Sequence, residues 1–346
     1  MSAGRDGLEM ERAPAHSLTI MSRSAEQSSP LALAVVGYDG PTAMKILERP
    51  RREPSSGQVR IGVSHAGMGF IDALFSTGFG RVELPFIPGL EVVGTVTGVG
   101  EGVGTVSRGD SVAALTMPGG GFSQEVIVDS RLVVPLPPGL SAATAAATCT
   151  NTTTAVSALA RVDALSDAAV LVHAGAGGLG SQFGQVARLL GASRTGAVVG
   201  SQAKARCAAA LGYDDVYLRD DLDRVPEHAW DVVVDPVGGE ATRMAARHLA
   251  QFGTLLRVGN ASGAPAVDID SLGLWLTATT ASGFNLGALA AANPEAVGAD
   301  LHRALTLVAS DRVRVDVIRR VSLEEARSAL ADLLAGGTTG KTVITF

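Results

Sequence analysis

One short stretch limits this chain more than any other. Ala169-Val-Leu-Val-His173 reads as a buried strand. Gly175-Ala176-Gly177-Gly178-Leu179-Gly180 then matches G-x-G-x-x-G, and a helix follows with Phe183, Val186, Leu189 and Leu190 on one stripe. In a chain with 42 glycines the motif alone is weak; the order strand, loop, helix gives it force. Gly175 permits a tight turn, Gly177 clears space for a pyrophosphate, and Gly180 lets the helix pack on the sheet. Free N–H groups and the helix dipole then bind phosphate. The competing reading is a plain glycine-rich turn, but alternation continues downstream. Ala197–Val199, Val216–Leu218, Asp231–Asp235, Thr254–Val258 and Thr277–Phe284 read as strands, with helices at Gln202–Leu211 and Glu240–Leu249. Apolar strands alternating with helices predict an α/β fold with a doubly wound parallel sheet.

The flanking sequence has another texture. From Leu31 to Val134, short strands are separated by Gly and Pro, as in Gly109-Asp110 and Pro137-Pro138-Gly139, which predicts a mostly antiparallel β domain. Ser141 to Leu159 is small-sided and helical. After Phe284 come a helix near Pro294–Ser310, a strand at Val313–Val321, a helix at Leu323–Ala335 and a last strand at Thr342–Phe346, and the chain returns to the β domain. The division is therefore a disordered extension at 1–30, a β domain from 31–153 and 285–346, and a nucleotide domain at 154–284. Ala335-Gly-Gly-Thr-Thr-Gly-Lys-Thr342 imitates a P-loop, but Ala335 replaces its first glycine and a strand follows where a helix is required.

Composition removes several classes. A net charge of −6 argues against a nucleic-acid partner. No clean apolar run is long enough to span a membrane. Two cysteines, Cys149 and Cys207, exclude a disulfide scaffold or a Cys-rich zinc lobe. The first residues lack the apolar core of a secretory signal, so a cytoplasmic location is the expectation. At the ribose position Gly200-Ser201 stands where an NAD site places an acid, and Lys204 and Arg219 follow. A small residue, a hydroxyl and two cations suit a 2′-phosphate, so NADPH is expected.

These motifs, with Ala66-Gly-Met-Gly-Phe-Ile-Asp72, Leu84-Pro-Phe-Ile-Pro-Gly-Leu-Glu91-Val-Val-Gly94 and Gly340-Lys341, resemble the zinc-free quinone oxidoreductases of the medium-chain dehydrogenase/reductase superfamily. The resemblance implies a GroES-like β domain and an active site in the cleft between domains. It places Thr154, the loop Gly175–Gly180 and Val258, Gly259, Asn260, Phe284, Asn285 and Leu286 along the cofactor, with Lys341 near it. It also implies a homodimer through the edge strand Thr277–Phe284. The zinc-ligand slots of metal-dependent relatives hold Gly69 and Leu90.

Many relatives carry an Asn and a Tyr near the nicotinamide; here those slots hold Gly69 and Phe79. The expected pocket of Met68, Gly69, Phe70, Phe79 and Phe86 is apolar, suiting a bulky apolar small molecule. Asp72 and His65 are the titratable groups nearest this motif. Each reads either as a proton partner or as a structural residue, a backbone acceptor for Asp72 and a strand surface for His65. The implied activity is metal-free, NADPH-dependent hydride transfer to a quinone or an α,β-unsaturated carbonyl, with a bulky apolar substrate of polyketide type as the expectation. The alternatives are a redox-neutral tailoring enzyme and a non-catalytic cofactor-binding protein.

Overall fold

A computed structural model describes residues 29–346 except residue 164. The expected extension at 1–30 therefore falls almost wholly outside the described residues. Its last residue, Pro30, is buried and accepts a hydrogen bond from Arg49 N at 2.8 Å.

The β domain opens with the antiparallel pair β1 (Leu31–Ala34) and β2 (Lys45–Glu48). Then follow β3 (Gln58–Gly67), α1 (Phe70–Phe75), β4 (Glu91–Val99), β5 (Ser111–Leu115), β6 (Glu125–Asp129) and β7 (Val133–Pro135). In β3, residues alternate between buried and partly exposed, the pattern of a strand with one face on a core. Helix α2 (Ala142–Leu159) is capped by Ser141 Oγ, which accepts from Thr144 N at 3.1 Å.

The nucleotide domain contains β8 (Ala169–His173), α3 (Gly180–Leu189), β9 (Arg194–Val199), α4 (Gln202–Ala210) and β10 (Asp215–Leu218). It continues with β11 (Trp230–Asp235), α5 (Glu240–His248), β12 (Leu249–Arg257), α6 (Ser271–Thr277) and β13 (Thr280–Gly283). All six strands are parallel, in the order β10-β9-β8-β11-β12-β13. The order reverses between β8 and β11, so a crevice opens at their carboxyl ends.

The chain then returns through α7 (Leu286–Ala292), α8 (Pro294–Ala309), β14 (Val317–Val321), α9 (Ala326–Leu334) and β15 (Lys341–Thr345). β15 pairs with β3, so the last strand completes the β-domain sheet. Among the described residues, no helix is long and apolar enough to cross a membrane.

Helix α2 runs unbroken through 153/154, where the sequence divides the domains. Ala145, Ala146, Ala147 and Cys149 join the β-domain core, whereas Ala155, Val156, Ala158 and Leu159 join the nucleotide-domain core. Helix α8 also straddles both cores, through Leu301 and Leu305 on one side and Ala304 and Val308 on the other.

The expected strand Thr277–Phe284 needs correction. Asp270 caps a helix instead, accepting from Leu272 N at 3.1 Å, and Ala278 leaves it in a left-handed conformation with φ 52°. Only Thr280–Gly283 is strand. Helix α7 is unforeseen in the sequence. Asn285 caps it, and Asn293 caps α8 with Pro294 at its first position.

Candidate active site

The glycine loop lies where the strand order reverses. Its left-handed turn falls on Ala174 (φ 52°), not on Gly175 as the sequence suggests. Gly175 is required because a Cβ there would stand 2.6 Å from the Cβ of Ala197 on β9. A Cβ on Gly180 would collide with the Ala174 carbonyl and stand 2.9 Å from the Gly175 Cα, so α3 packs directly on loop backbone. Tyr213 locks this contact by donating to Gly180 O at 2.7 Å. Ala176 is buried.

Helix α3 begins at Leu179 with no side-chain cap. Among the described residues, the N–H groups of Gly178, Leu179 and Gly180 donate to no protein acceptor. Three aligned donors at an uncapped helix start fit an anionic phosphate bridge. The structure thus passes the chemical test for a dinucleotide.

The adenosine-side residues also come together. Ser201 caps α4, accepting from Lys204 N at 3.3 Å. A Cβ on Gly200 would lie 3.7 Å from an Arg219 guanidinium nitrogen, so Arg219 roofs the small residue. Lys204 crosses to the other domain, and its ammonium donates to Gly336 O at 2.7 Å.

At the sheet's carboxyl edge, Asp235 is fully buried. It accepts from Val237 N, Gly238 N, the Thr242 hydroxyl and Arg257. Burial opposes its ionisation, yet these donors, led by Thr242, hold its carboxyl below the usual range. Neighbouring His173 is neutral, because burial pushes its pKa down to about 4. Arg257 is a missed residue; its only signal was a cation ending an apolar strand. It fastens the Asp235–Gly239 turn to the turn carrying Val258, Gly259 and Asn260, where Asn260 Nδ2 donates to Ala264 O at 3.0 Å. Thr154 on α2 is nearly buried and donates to Thr150 O at 2.7 Å. Phe284 is half-buried between both cores, 5.5 Å from the Arg161 guanidinium. Asn285 Oδ1 is occupied as the α7 cap, accepting from Ala288 N at 3.0 Å, and Leu286 is buried behind it.

Both candidate proton donors have hydrogen-bond partners within the β domain. Asp72 Oδ2 accepts from Gly69 N and Oδ1 from Gly89 N, each at 2.8 Å. Burial pushes its carboxyl up to about 7, against those two N–H donors and the Lys341 ammonium. His65 is half-buried on β3 beside Ser64 Oγ at 3.0 Å; burial and nearby Arg320 push its pKa down. The Lys341 side chain lies against the glycine loop, its Cδ 3.3 Å from where a Gly178 Cβ would be, but its ammonium turns away. It is buried, and its ammonium donates to Glu91 Oε1 at 2.6 Å and Met68 O at 2.8 Å, so its charge is matched within the β domain.

An apolar hollow lies beside one of the expected pocket residues. A hollow of about 490 Å3 is lined by Phe75, Val82, Glu83, Leu84, Pro85, Phe86 and Pro118. Of the five expected residues only Phe86 lines it. Met68 is buried, Gly69 caps α1, Phe70 begins α1, and Phe79 lies on a turn with 42% of its surface exposed. Phe75 and Phe86 meet edge to face at 4.9 Å. Next to Pro118, Met117 Sδ stands 3.9 Å from where a Cβ on Gly287 of α7 would be. Among the described residues, no three His, Cys, Asp or Glu side chains group as a metal site.

Comparison with known proteins places this geometry. The alcohol dehydrogenase GroES-like domain family matches residues 55–138, and the zinc-binding dehydrogenase family matches residues 211–344. A quinone oxidoreductase of Pseudomonas aeruginosa is 30% identical over 321 residues, covering 89% of this chain and 97% of the relative. This chain belongs to the quinone oxidoreductase family. Within that family, the solved structure of mycobacterial Rv1454c complexed with NADPH superposes with a TM-score of 0.84. It is 29% identical and covers 92% of this chain and 100% of that one. A further relative, the phthioceranic/hydroxyphthioceranic acid synthase of Mycobacterium tuberculosis, is 30% identical over 311 residues. That match covers 85% of this chain and 14% of the synthase. This quinone oxidoreductase family member carries Gly69 and Leu90 at the zinc-ligand slots.

Proposed function

We propose that this chain is an NADPH-dependent oxidoreductase that reduces an apolar quinone or α,β-unsaturated carbonyl. The uncapped start of α3 at the sheet's switch point carries the reading. The N–H groups of Gly178, Leu179 and Gly180 hold the pyrophosphate, and Ser201, Lys204 and Arg219 hold the 2′-phosphate. Thr154, Val258, Gly259, Asn260, Phe284, Asn285 and Leu286 border the redox end. Bound nicotinamide supplies the hydride. The hollow beside Phe86 takes the apolar body of the substrate. Asp72 is spent on two backbone donors, so the reduced oxygen takes its proton from solvent. The likeness to an acid synthase accords with an unsaturated acyl chain as substrate.

The test is NADPH oxidation against a panel of quinones and enones. Turnover is expected with at least one apolar member. Conversion of substrate with no loss of NADPH absorbance would assign redox-neutral chemistry instead. In the same assay, Lys204→Ala is expected to weaken NADPH by about 1–3 kcal/mol and NADH much less. Equal losses would remove the 2′-phosphate assignment.

We also propose that β13 pairs with a second copy. It ends its sheet, and Ile269, Leu272, Trp275 and Leu276 beside it are exposed. An edge strand with an apolar patch favours pairing. Sedimentation is expected to show a dimer that Trp275→Glu dissociates; a monomeric wild type would refute it.

A further inference from the structure

Asn151 stands on α2 one turn before Thr154, between Ala-rich and Thr-rich turns. Its carboxamide nitrogen lies 2.9 Å from the point a Gly178 Cβ would occupy. It therefore covers one of the three phosphate-loop residues whose N–H groups lack a partner. On the same side of Gly178, the Lys341 side chain approaches through its methylenes, with Cδ at 3.3 Å, because its ammonium points to Glu91 and Met68, and the Gly340 carbonyl oxygen stands at 3.7 Å. Of these three neighbours, Asn151 is thus the one that presents a hydrogen-bond donor to the loop. Gly178 needs no left-handed φ, so its missing side chain answers to this neighbour. Among the described residues, the Asn151 side chain forms no hydrogen bond, and the hydroxyls of nearby Thr150 and Thr153 are buried without partners. A neutral carboxamide offers two donors without the desolvation cost of a charge.

We infer that Asn151 is a cofactor-positioning residue whose carboxamide donates to an oxygen of the nicotinamide-side phosphate. The bridge is then held from both domains, by loop N–H groups on one side and by Asn151 on the other. This inference rests on the dinucleotide reading above. It makes cofactor affinity respond to a residue outside the nucleotide-binding motif.

The test is titration calorimetry on the full chain with NADPH, 2′-phospho-ADP-ribose and adenosine 2′,5′-bisphosphate. The last probe lacks the nicotinamide-side phosphate. Asn151→Asp sets a carboxylate against that phosphate and is expected to weaken the first two ligands by about tenfold or more. Asn151→Ala is expected to weaken them by about threefold to tenfold. Both variants should keep the wild-type melting temperature without ligand and bind the bisphosphate as the wild type does. Unchanged NADPH affinity in Asn151→Asp, or an equal loss for the bisphosphate, would overturn the inference. A wild type that binds none of the three probes would overturn the dinucleotide reading itself.

Discussion

Lys341→Met is expected to cost about 3–5 kcal/mol of stability, read from the urea midpoint, because it strands a buried carboxylate. Lys341 and Glu91 are 4% and 1% exposed. Glu91 Oε1 accepts from the ammonium at 2.6 Å, and Oε2 accepts from Thr150 N at 2.7 Å. One carboxylate therefore ties β4, β15 and α2 at the floor of the cleft. Backbone packs tightly around it, since a Cβ on Gly67 would collide with the Ala146 carbonyl and with Glu91. Without the ammonium, Glu91 keeps one donor and little solvent. Asp72 also loses the cation that helps it ionise. Glu91→Gln in the same chain should recover much of the loss, because Gln still accepts from Thr150 N and carries no charge. The double-mutant cycle measures that coupling. A single-mutant cost under about 1 kcal/mol would show that the pair is solvated and holds nothing.

The difference between Lys341 as expected and Lys341 as found shows what a sequence reveals here. The strand Ala169–His173, the glycine loop and α3 were legible, because each depends on neighbours in sequence: apolar residues in a row, glycines at fixed offsets, a stripe at helical spacing. The strand alternation was legible for the same reason. Contacts made through space were not. Gly175 answers to Ala197 on another strand, and Lys341 answers to Glu91 across 250 positions of chain. Nothing local marks either link. The stretch Thr277–Phe284 misled because its β-branched and small residues suit a strand, while the Asp270 cap starts a helix seven residues earlier. The walls of the hollow were hidden for a similar reason. Phe75 and Phe86 come together only after α1 folds against the following loop, and Phe79 between them turns outward.

Two glycines of the phosphate loop should respond oppositely to the same substitution, separating binding from folding. A Cβ on Gly177 would meet only the Ala174 carbonyl, at 3.1 Å, and the residue has no left-handed φ. Gly177→Val is therefore expected to fold, with a melting temperature close to wild type. Its isopropyl group crowds the loop where the phosphates approach, so NADPH affinity should fall by about 100-fold or more, roughly 2.7 kcal/mol. At Gly180 the obstacles are backbone: the Ala174 carbonyl, with its carbon at 2.8 Å, and the Gly175 Cα at 2.9 Å. Neither can rotate away, and Ala174 already holds a left-handed φ that a side chain resists. Gly180→Val should lift α3 off the loop and lower the melting temperature before binding is considered. Thermal melts and calorimetry on the two variants give both readouts. If Gly177→Val binds NADPH as the wild type does, the phosphates do not pass over this loop, and the cofactor lies elsewhere in the cleft.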